Sequence, residues 1–317
     1  MDLKTAAETL NGSFSFGNRI LYDMCSSPST DLSNPEHLAD MIWLIGRAYA
    51  ASPERRTYGY VRGEDGKLKK NGDNKWIPLW KAINANDGKG GYFISIANHI
   101  TDVEKSPSFK HLFETVNELK GLTYKYNNVD EDIDALSKGI YAVYLYNNLI
   151  RDASEEFDGL NTSNNPKAIT AKNAGARCKN QISFCSKFLH FHCPGIVFII
   201  DQYSLEGGKR VIPLGRLSYD PKFETASKEL LHLDPVNLKE DYDYVSDKVT
   251  ARLKEVDANL FKNDTISDEA EKINSYIEHC TRAYCVAKYL NDAKDQSGLT
   301  VTPRLIDDLF LRVKNKS

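Results

Sequence analysis

Apolar residues recur at helical spacing along most of the chain, and few segments alternate with a period of two. One clear stripe begins at Pro35, which follows Asn34 as a possible N-cap. The last stripe begins at Pro303, behind the possible N-cap Thr302. We therefore predict a mainly α-helical fold. The predicted helices cover 35–51, 93–101, 108–119, 132–150, 168–193 with an interruption near 173–176, 268–290 and the segment from 303, with a short extended piece at 211–217.

Two segments depart from the helical pattern. Residues 57–78 repeat glycine, lysine and asparagine, which predicts a basic loop or short hairpin inserted between helices. Residues 158–166, DGLNTSNNP, read as a polar linker. We therefore predict two helical subdomains, one over 1–157 with the insertion at 57–78 and one over 158–317.

Composition places the chain among soluble globular proteins, since 41% of its residues are hydrophobic and 27% are charged. No apolar run reaches the roughly 18 residues that a membrane span needs, and the N-terminus lacks the apolar core of a signal peptide. The six cysteines show no paired spacing and read as reduced thiols. These features predict a cytoplasmic protein without membrane contact.

Charge is distributed unevenly although the net charge is only −3. The stretch 159–200 contains no acidic residue, where the average density of the chain predicts about six, and it contains five basic residues. Such a surface suits contact with an anion such as the DNA backbone. The predicted DNA-binding residues are Lys167, Lys172, Arg177, Lys179 and, outside this stretch, Arg47. For Arg47, a plain helix terminus whose basic residue favours the C-terminal dipole is the alternative.

The segment 186–204 combines a single lysine with a single aspartate in apolar surroundings. Lys187 stands at the head of an aromatic-rich run that Pro194 and Gly195 interrupt. The apolar run IVFII then leads to Asp201, a good N-cap for a following turn or helix. This path predicts that the chain returns Asp201 towards Lys187. A partly buried amine beside a carboxylate suits covalent chemistry at a carbonyl or sugar carbon.

This order of lysine, Pro-containing turn, apolar run and helix-opening aspartate resembles the active-site segment of the helix-hairpin-helix DNA glycosylases. It is most similar to the 8-oxoguanine DNA glycosylase group and its bacterial relatives, which segments 43–56 and 302–310 also resemble. The resemblance implies a helical glycosylase-like fold and, as partner, duplex DNA with a flipped base. It implies that Lys187 is the nucleophile, through a Schiff base that also permits AP-lyase activity, and that Asp201 stabilises the cationic sugar.

The chain also departs from that family. The family's hairpin carries a Gly-x-Gly turn that binds a DNA phosphate, whereas here the corresponding stretch, 174–187, contains a single glycine, Gly175. Lysine and arginine side chains can contact phosphates instead. A flipped base also needs a stacking pocket, for which we predict His190, His192 and Tyr203.

Several alternatives stay open at this point. Cys185, His190, His192 and Cys193 do not converge on one helix face, so we expect no metal, and we expect no cofactor. Lys187 can also extend from a core helix to water, and Asp201 can be only a helix cap. If both residues have only these structural roles, the chain is a non-catalytic helical module that binds nucleic acid or protein. For the enzyme, the sequence does not separate an oxidised purine in repair from a modified phage base in antiviral defence.

Overall fold

The computed structural model describes residues 16–27, 31–49, 67–75, 91–102, 104–155, 181–212, 235–258, 260, 268–292 and 301–315. These ranges contain ten helices and no strand. They are α1 Phe16–Ser26, α2 Pro35–Ala48, α3 Gly91–Thr101, α4 Ser108–Leu119, α5 Val129–Glu155, α6 Ile182–His192, α7 Gln202–Val211, α8 Pro235–Val256, α9 Asp268–Asp292 and α10 Pro303–Asn315. None of them combines the length and the apolar composition required to cross a membrane.

Two of the predicted helix starts are confirmed by their capping contacts. The Asn34 side chain accepts hydrogen bonds from the backbone N–H groups of Glu36 at 2.9 Å and His37 at 3.4 Å, and Pro35 opens α2. Thr302 Oγ1 accepts from the N–H of Leu305 at 3.2 Å at the start of α10. These side chains satisfy N–H groups that the first turn of a helix leaves unpaired.

The mainly helical prediction is confirmed over the described ranges, but several details differ. Helices α1 and α8 were not predicted. Residue 211 ends α7 instead of opening an extended piece, because α7 continues through Gly207 and Gly208, while residues 213–217 lie outside the described residues. Only 67–75 of the predicted basic insertion is described. It forms a turn in which the Asn71 N–H donates to the Lys75 carbonyl at 2.8 Å.

The chain divides into two compact units, and each combines separate stretches of sequence. The first unit comprises 1–26, 116–143 and 189–317, and the second comprises 27–115 and 144–188. In the first unit, α9 packs against α7, α8 and α10, while in the second unit α2 packs against α3. The predicted subdomain boundary at 157/158 lies outside the described residues and stays a prediction.

Close approach of α7 and α10 in the first unit requires glycine. A Cβ atom at Gly207 would lie 2.0 Å from the carbonyl oxygen of Phe310, and one at Gly208 would lie 3.1 Å from the Phe310 ring. Two glycines would ordinarily weaken a helix. Here they allow the backbone of α7 to lie directly on α10, which fixes the helix that Asp201 opens.

A buried aspartate organises the start of α5 in the first unit. The Asp132 carboxylate accepts from the N–H groups of Lys125 at 2.9 Å and Tyr126 at 2.7 Å, and from the Tyr284 hydroxyl at 2.9 Å. Tyr126 has a φ of 60°, a left-handed conformation that is uncommon for residues other than glycine. The carboxylate therefore holds a strained loop against α9 by three hydrogen bonds.

Candidate active-site segment

The path of the chain from α6 to α7 follows the prediction for this segment. Most side chains of α6 are buried, and the helix ends at His192, just before Pro194 and Gly195. The N–H groups of Ile196 and Val197 both donate to the carbonyl of Cys193, which closes the turn. A Cβ at residue 195 would lie 2.1 Å from the Leu122 carbonyl oxygen, so this turn fits only glycine. Residues 197–200 then run without helical or sheet structure to Asp201.

Lys187 is a buried amine in the second unit. The residue is 6% exposed, and its Nζ donates a hydrogen bond to Ser183 Oγ, one turn earlier on α6, at 3.1 Å. Its Nζ also lies 6.0 Å from the centre of the Tyr49 ring, the outer limit for a cation–π contact.

Asp201 is the N-cap of α7 in the first unit. Its Oδ1 accepts hydrogen bonds from the N–H groups of Tyr203 and Ser204, both at 2.9 Å, and the Ser204 hydroxyl accepts from the N–H of Asp201 at 3.0 Å. This reciprocal pair is a capping box. The predicted capping role is therefore confirmed. Lys187 belongs to the second unit and Asp201 to the first, and the predicted return of Asp201 towards Lys187 stays a prediction.

The extended run before Asp201 is held by side chains instead of by a neighbouring strand. Four successive carbonyls, from Ile196 to Ile199, each accept a hydrogen bond from a buried side chain. In the order of the carbonyls, the donors are Tyr124 Oη at 2.7 Å, His190 Nδ1 at 2.7 Å, Tyr276 Oη at 3.0 Å and His279 Nε2 at 2.8 Å. All of these residues lie in the first unit, so its helices hold the run that leads to Asp201. We call these four donors the cradle; it was not predicted, because its members are widely separated along the chain.

His190 and His192, predicted for the base pocket, lie in the core. Because the Val197 carbonyl can only accept, His190 carries its proton on Nδ1, and Nε2 accepts from the Tyr22 hydroxyl at 2.6 Å. Burial lowers the pKa of His190 to about 4 and that of His192 to about 3. Tyr203 is 56% exposed at the first turn of α7. The role of these three residues in base binding stays a prediction.

The predicted DNA-binding residues are mostly beyond the described part of the chain. Lys167, Lys172, Arg177 and Lys179 lie in 156–180, as does Gly175 of the expected phosphate-binding turn. Arg47 is described and lies half-buried in the last turn of α2, where its charge favours the helix dipole. The DNA interface therefore stays a prediction.

The first unit also contains a cleft of about 480 Å³ beside the Gly195 turn. Leu122, which is 47% exposed, lines it together with Ile196, and the lining also includes five carboxylates and two lysines. These side chains belong to Glu118, Asp130, Glu131, Asp132, Asp134, Lys125 and Lys138. The negative balance disfavours contact between this cleft and a phosphate backbone. Within the described ranges, no group of three or more potential ligands has the arrangement of a metal site.

Comparison with known proteins gives no relative from which a role can be transferred. No family model matches the chain, and neither a curated protein nor a solved structure matches it.

Proposed function

We propose that this protein is a DNA glycosylase of the helix-hairpin-helix type that excises a damaged or modified base. In this proposal Lys187 is the nucleophile and Asp201 is its electrostatic partner. The base is an oxidised purine or a modified base of phage DNA. AP-lyase activity follows if the covalent intermediate undergoes β-elimination.

The observation that carries the proposal is the burial of the Lys187 amine. Only 6% of the residue is exposed, and its Nζ donates a hydrogen bond to Ser183 Oγ at 3.1 Å. A lysine attacks carbon only as the neutral amine, and withdrawal from water disfavours the charged form.

Asp201 supports the same proposal through its place in the fold. Its carboxylate opens α7 directly after the buried run, and its backbone is fixed by the capping box. A carboxylate at a helix N-terminus is stabilised in its charged form. A negative charge in a fixed position suits stabilisation of the cationic sugar that forms as a glycosidic bond breaks.

The proposed reaction begins when the lone pair of the Lys187 amine attacks C1′ of the target nucleotide. The new C1′–N bond forms as the bond to the base breaks, and the base leaves with that electron pair and takes up a proton. The amine then loses a proton, O4′ gains one, and the C1′–O4′ bond opens to give a protonated Schiff base. Borohydride delivers a hydride to this Schiff base and converts it into a stable amine link between protein and DNA.

Borohydride trapping tests the proposal directly. Duplex oligonucleotides carrying one oxidised, deaminated or phage-type modified base, and one duplex with an abasic site, are incubated with the wild type and with Lys187→Gln. We expect a covalent adduct with at least one base substrate, mapped by mass spectrometry to Lys187 and absent from the variant. Lys248→Gln, an exposed lysine of α8, is the matched control and is expected to form the wild-type adduct.

The outcomes separate the parts of the proposal. An adduct that persists in Lys187→Gln, or that maps to another amine, contradicts the role of Lys187. Base release without an adduct leaves a glycosylase that uses water as nucleophile and overturns the covalent step. Absence of both, with DNA bound equally by the wild type and Lys187→Gln, favours the non-catalytic binding module. Circular dichroism of each variant excludes unfolding as the cause of a lost adduct.

A further inference from the structure

The position of Asp201 depends on an extended run that has no neighbouring strand in the described part of the chain. A buried carbonyl without a partner costs free energy, so an isolated extended run in a core needs other donors. The cradle supplies one side-chain donor for each carbonyl from Ile196 to Ile199. Its last two donors, Tyr276 and His279, both come from α9 and lie nearest to Asp201 along the run.

Helix α9 contacts the backbone shortly before Asp201. His279 donates to the carbonyl of Ile199, two residues before Asp201, and Tyr276 donates to that of Phe198. Helix α9 also packs directly on α7. In addition, the negative charge of Asp201 acts to raise the pKa of His279, which burial lowers to about 4 overall. The same helix therefore fixes both the run that enters Asp201 and the helix that leaves it.

We infer that Tyr276 and His279 are positioning residues that hold the carboxylate of Asp201 in place for the reaction. Neither needs to contact DNA in this role, because each acts on the backbone that carries Asp201. The catalytic meaning of the inference rests on the proposed function, whereas the positioning itself is measurable without DNA.

The experiment compares variants that remove or preserve one donor. Tyr276→Phe removes only the hydroxyl. His279→Leu replaces the donor by an apolar side chain. His279→Gln keeps an N–H donor near the place of Nε2. The matched control is Thr281→Val, a buried residue of the same helix whose hydroxyl donates within α9 to the Ile277 carbonyl at 2.9 Å.

Two readouts are measured for each variant. The first is hydrogen–deuterium exchange of the Tyr203 and Ser204 amides, which Asp201 caps. The second is the single-turnover rate of adduct formation, together with the dissociation constant for DNA. We expect Tyr276→Phe and His279→Leu to speed exchange and to slow turnover by about tenfold each, which corresponds to the loss of one buried hydrogen bond. The dissociation constant of each variant is expected to stay close to the wild-type value. The exchange and turnover of His279→Gln and Thr281→Val are also expected to stay close to those of the wild type.

Unchanged exchange in Tyr276→Phe and His279→Leu overturns the inference, and so does an equal effect of Thr281→Val. If exchange changes as expected but turnover does not, the two residues are structural and not positioning residues for catalysis. If the wild type itself neither traps nor releases a base, the proposed function fails, and the amide exchange alone then decides whether α9 holds Asp201.

Discussion

The described part of the first unit contains three buried histidines, and we predict that they cause a steep loss of stability in acid. Burial lowers the pKa of His190 and His279 to about 4 and that of His192 to about 3. In the unfolded chain each returns to about 6.5. The unfolded state therefore binds more protons between these values. The contribution of these histidines to the free energy of unfolding is complete above about pH 6.5. It is lost as the pH falls from about 6.5 through the lowered pKa values.

The size of the effect follows from the separation of the pKa values. At pH 5 each histidine lowers the free energy of unfolding by about 2 kcal/mol, so the three together remove about 6 kcal/mol. That is comparable with the whole stability of an ordinary domain, roughly 5–15 kcal/mol. The slope near pH 5 is about 3.5 kcal/mol per pH unit from these groups alone. We expect the protein to be close to unfolding at pH 5.

Urea denaturation followed by circular dichroism at several pH values between 7 and 5 measures this slope. His279→Gln keeps a donor for the Ile199 carbonyl but binds no proton, so it should reduce the slope by about one third. His111→Gln, at an exposed position of α4, is the matched control and should leave the slope unchanged. A slope below about 1 kcal/mol per pH unit, or an unchanged slope in His279→Gln, refutes the reasoning.

Substitutions at three further positions test the packing and capping described above. Gly207→Ala places a Cβ 2.0 Å from the Phe310 carbonyl oxygen and should destabilise the fold by about 3 kcal/mol or more, measured as a fall in Tm. Tyr284→Phe leaves Asp132 with one donor fewer and should cost about 1–3 kcal/mol in urea denaturation. Asp201→Asn should keep the cap and the stability but lose borohydride trapping, whereas Asp201→Ala should lose the trapping and about 1 kcal/mol of stability.

Each of these predictions is checked by a control variant or by an outcome that contradicts it. Gly72→Ala meets nothing within 4 Å and should leave Tm unchanged. Tyr244→Phe, on a residue that is 50% exposed, should not alter the urea midpoint. If Asp201→Asn traps DNA at the wild-type rate, the aspartate is a helix cap without the proposed catalytic role. If Gly207→Ala melts with the wild type, the close packing of α7 on α10 is wrong.

Local sequence signals were sufficient where one residue determines the backbone. Asn34 and Pro35 fixed the start of α2, and Pro194 with Gly195 marked the end of α6, because capping and the loss of a backbone N–H act within one turn. The N-cap at Asp201 was predictable for the same reason. These signals gave the helical class and the path of the candidate site.

Other features depend on contacts that no local pattern contains. Helix α8 was not predicted, because acidic residues interrupt its apolar pattern. Its buried stripe consists of Leu238, Tyr242, Val245, Val249 and Leu253. Helix α7 contains two adjacent glycines, a pattern that indicates the end of a helix. The contact of these glycines with Phe310 exists only in the folded chain. The cradle joins donors from residues 124 to 279, and only the folded chain brings them to four neighbouring carbonyls.

The cradle also has a consequence for the state that acid produces. Residues 196–200 are five successive β-branched or aromatic residues, a composition typical of segments that form intermolecular cross-β structure. In the folded protein, side-chain donors occupy the carbonyls of residues 196–199, and these are the groups that a second strand would need. Protonation of His190 and His279 favours the unfolded chain, in which these carbonyls are free. Acid unfolding of this protein is therefore expected to lead to aggregation through this segment instead of to a soluble unfolded chain.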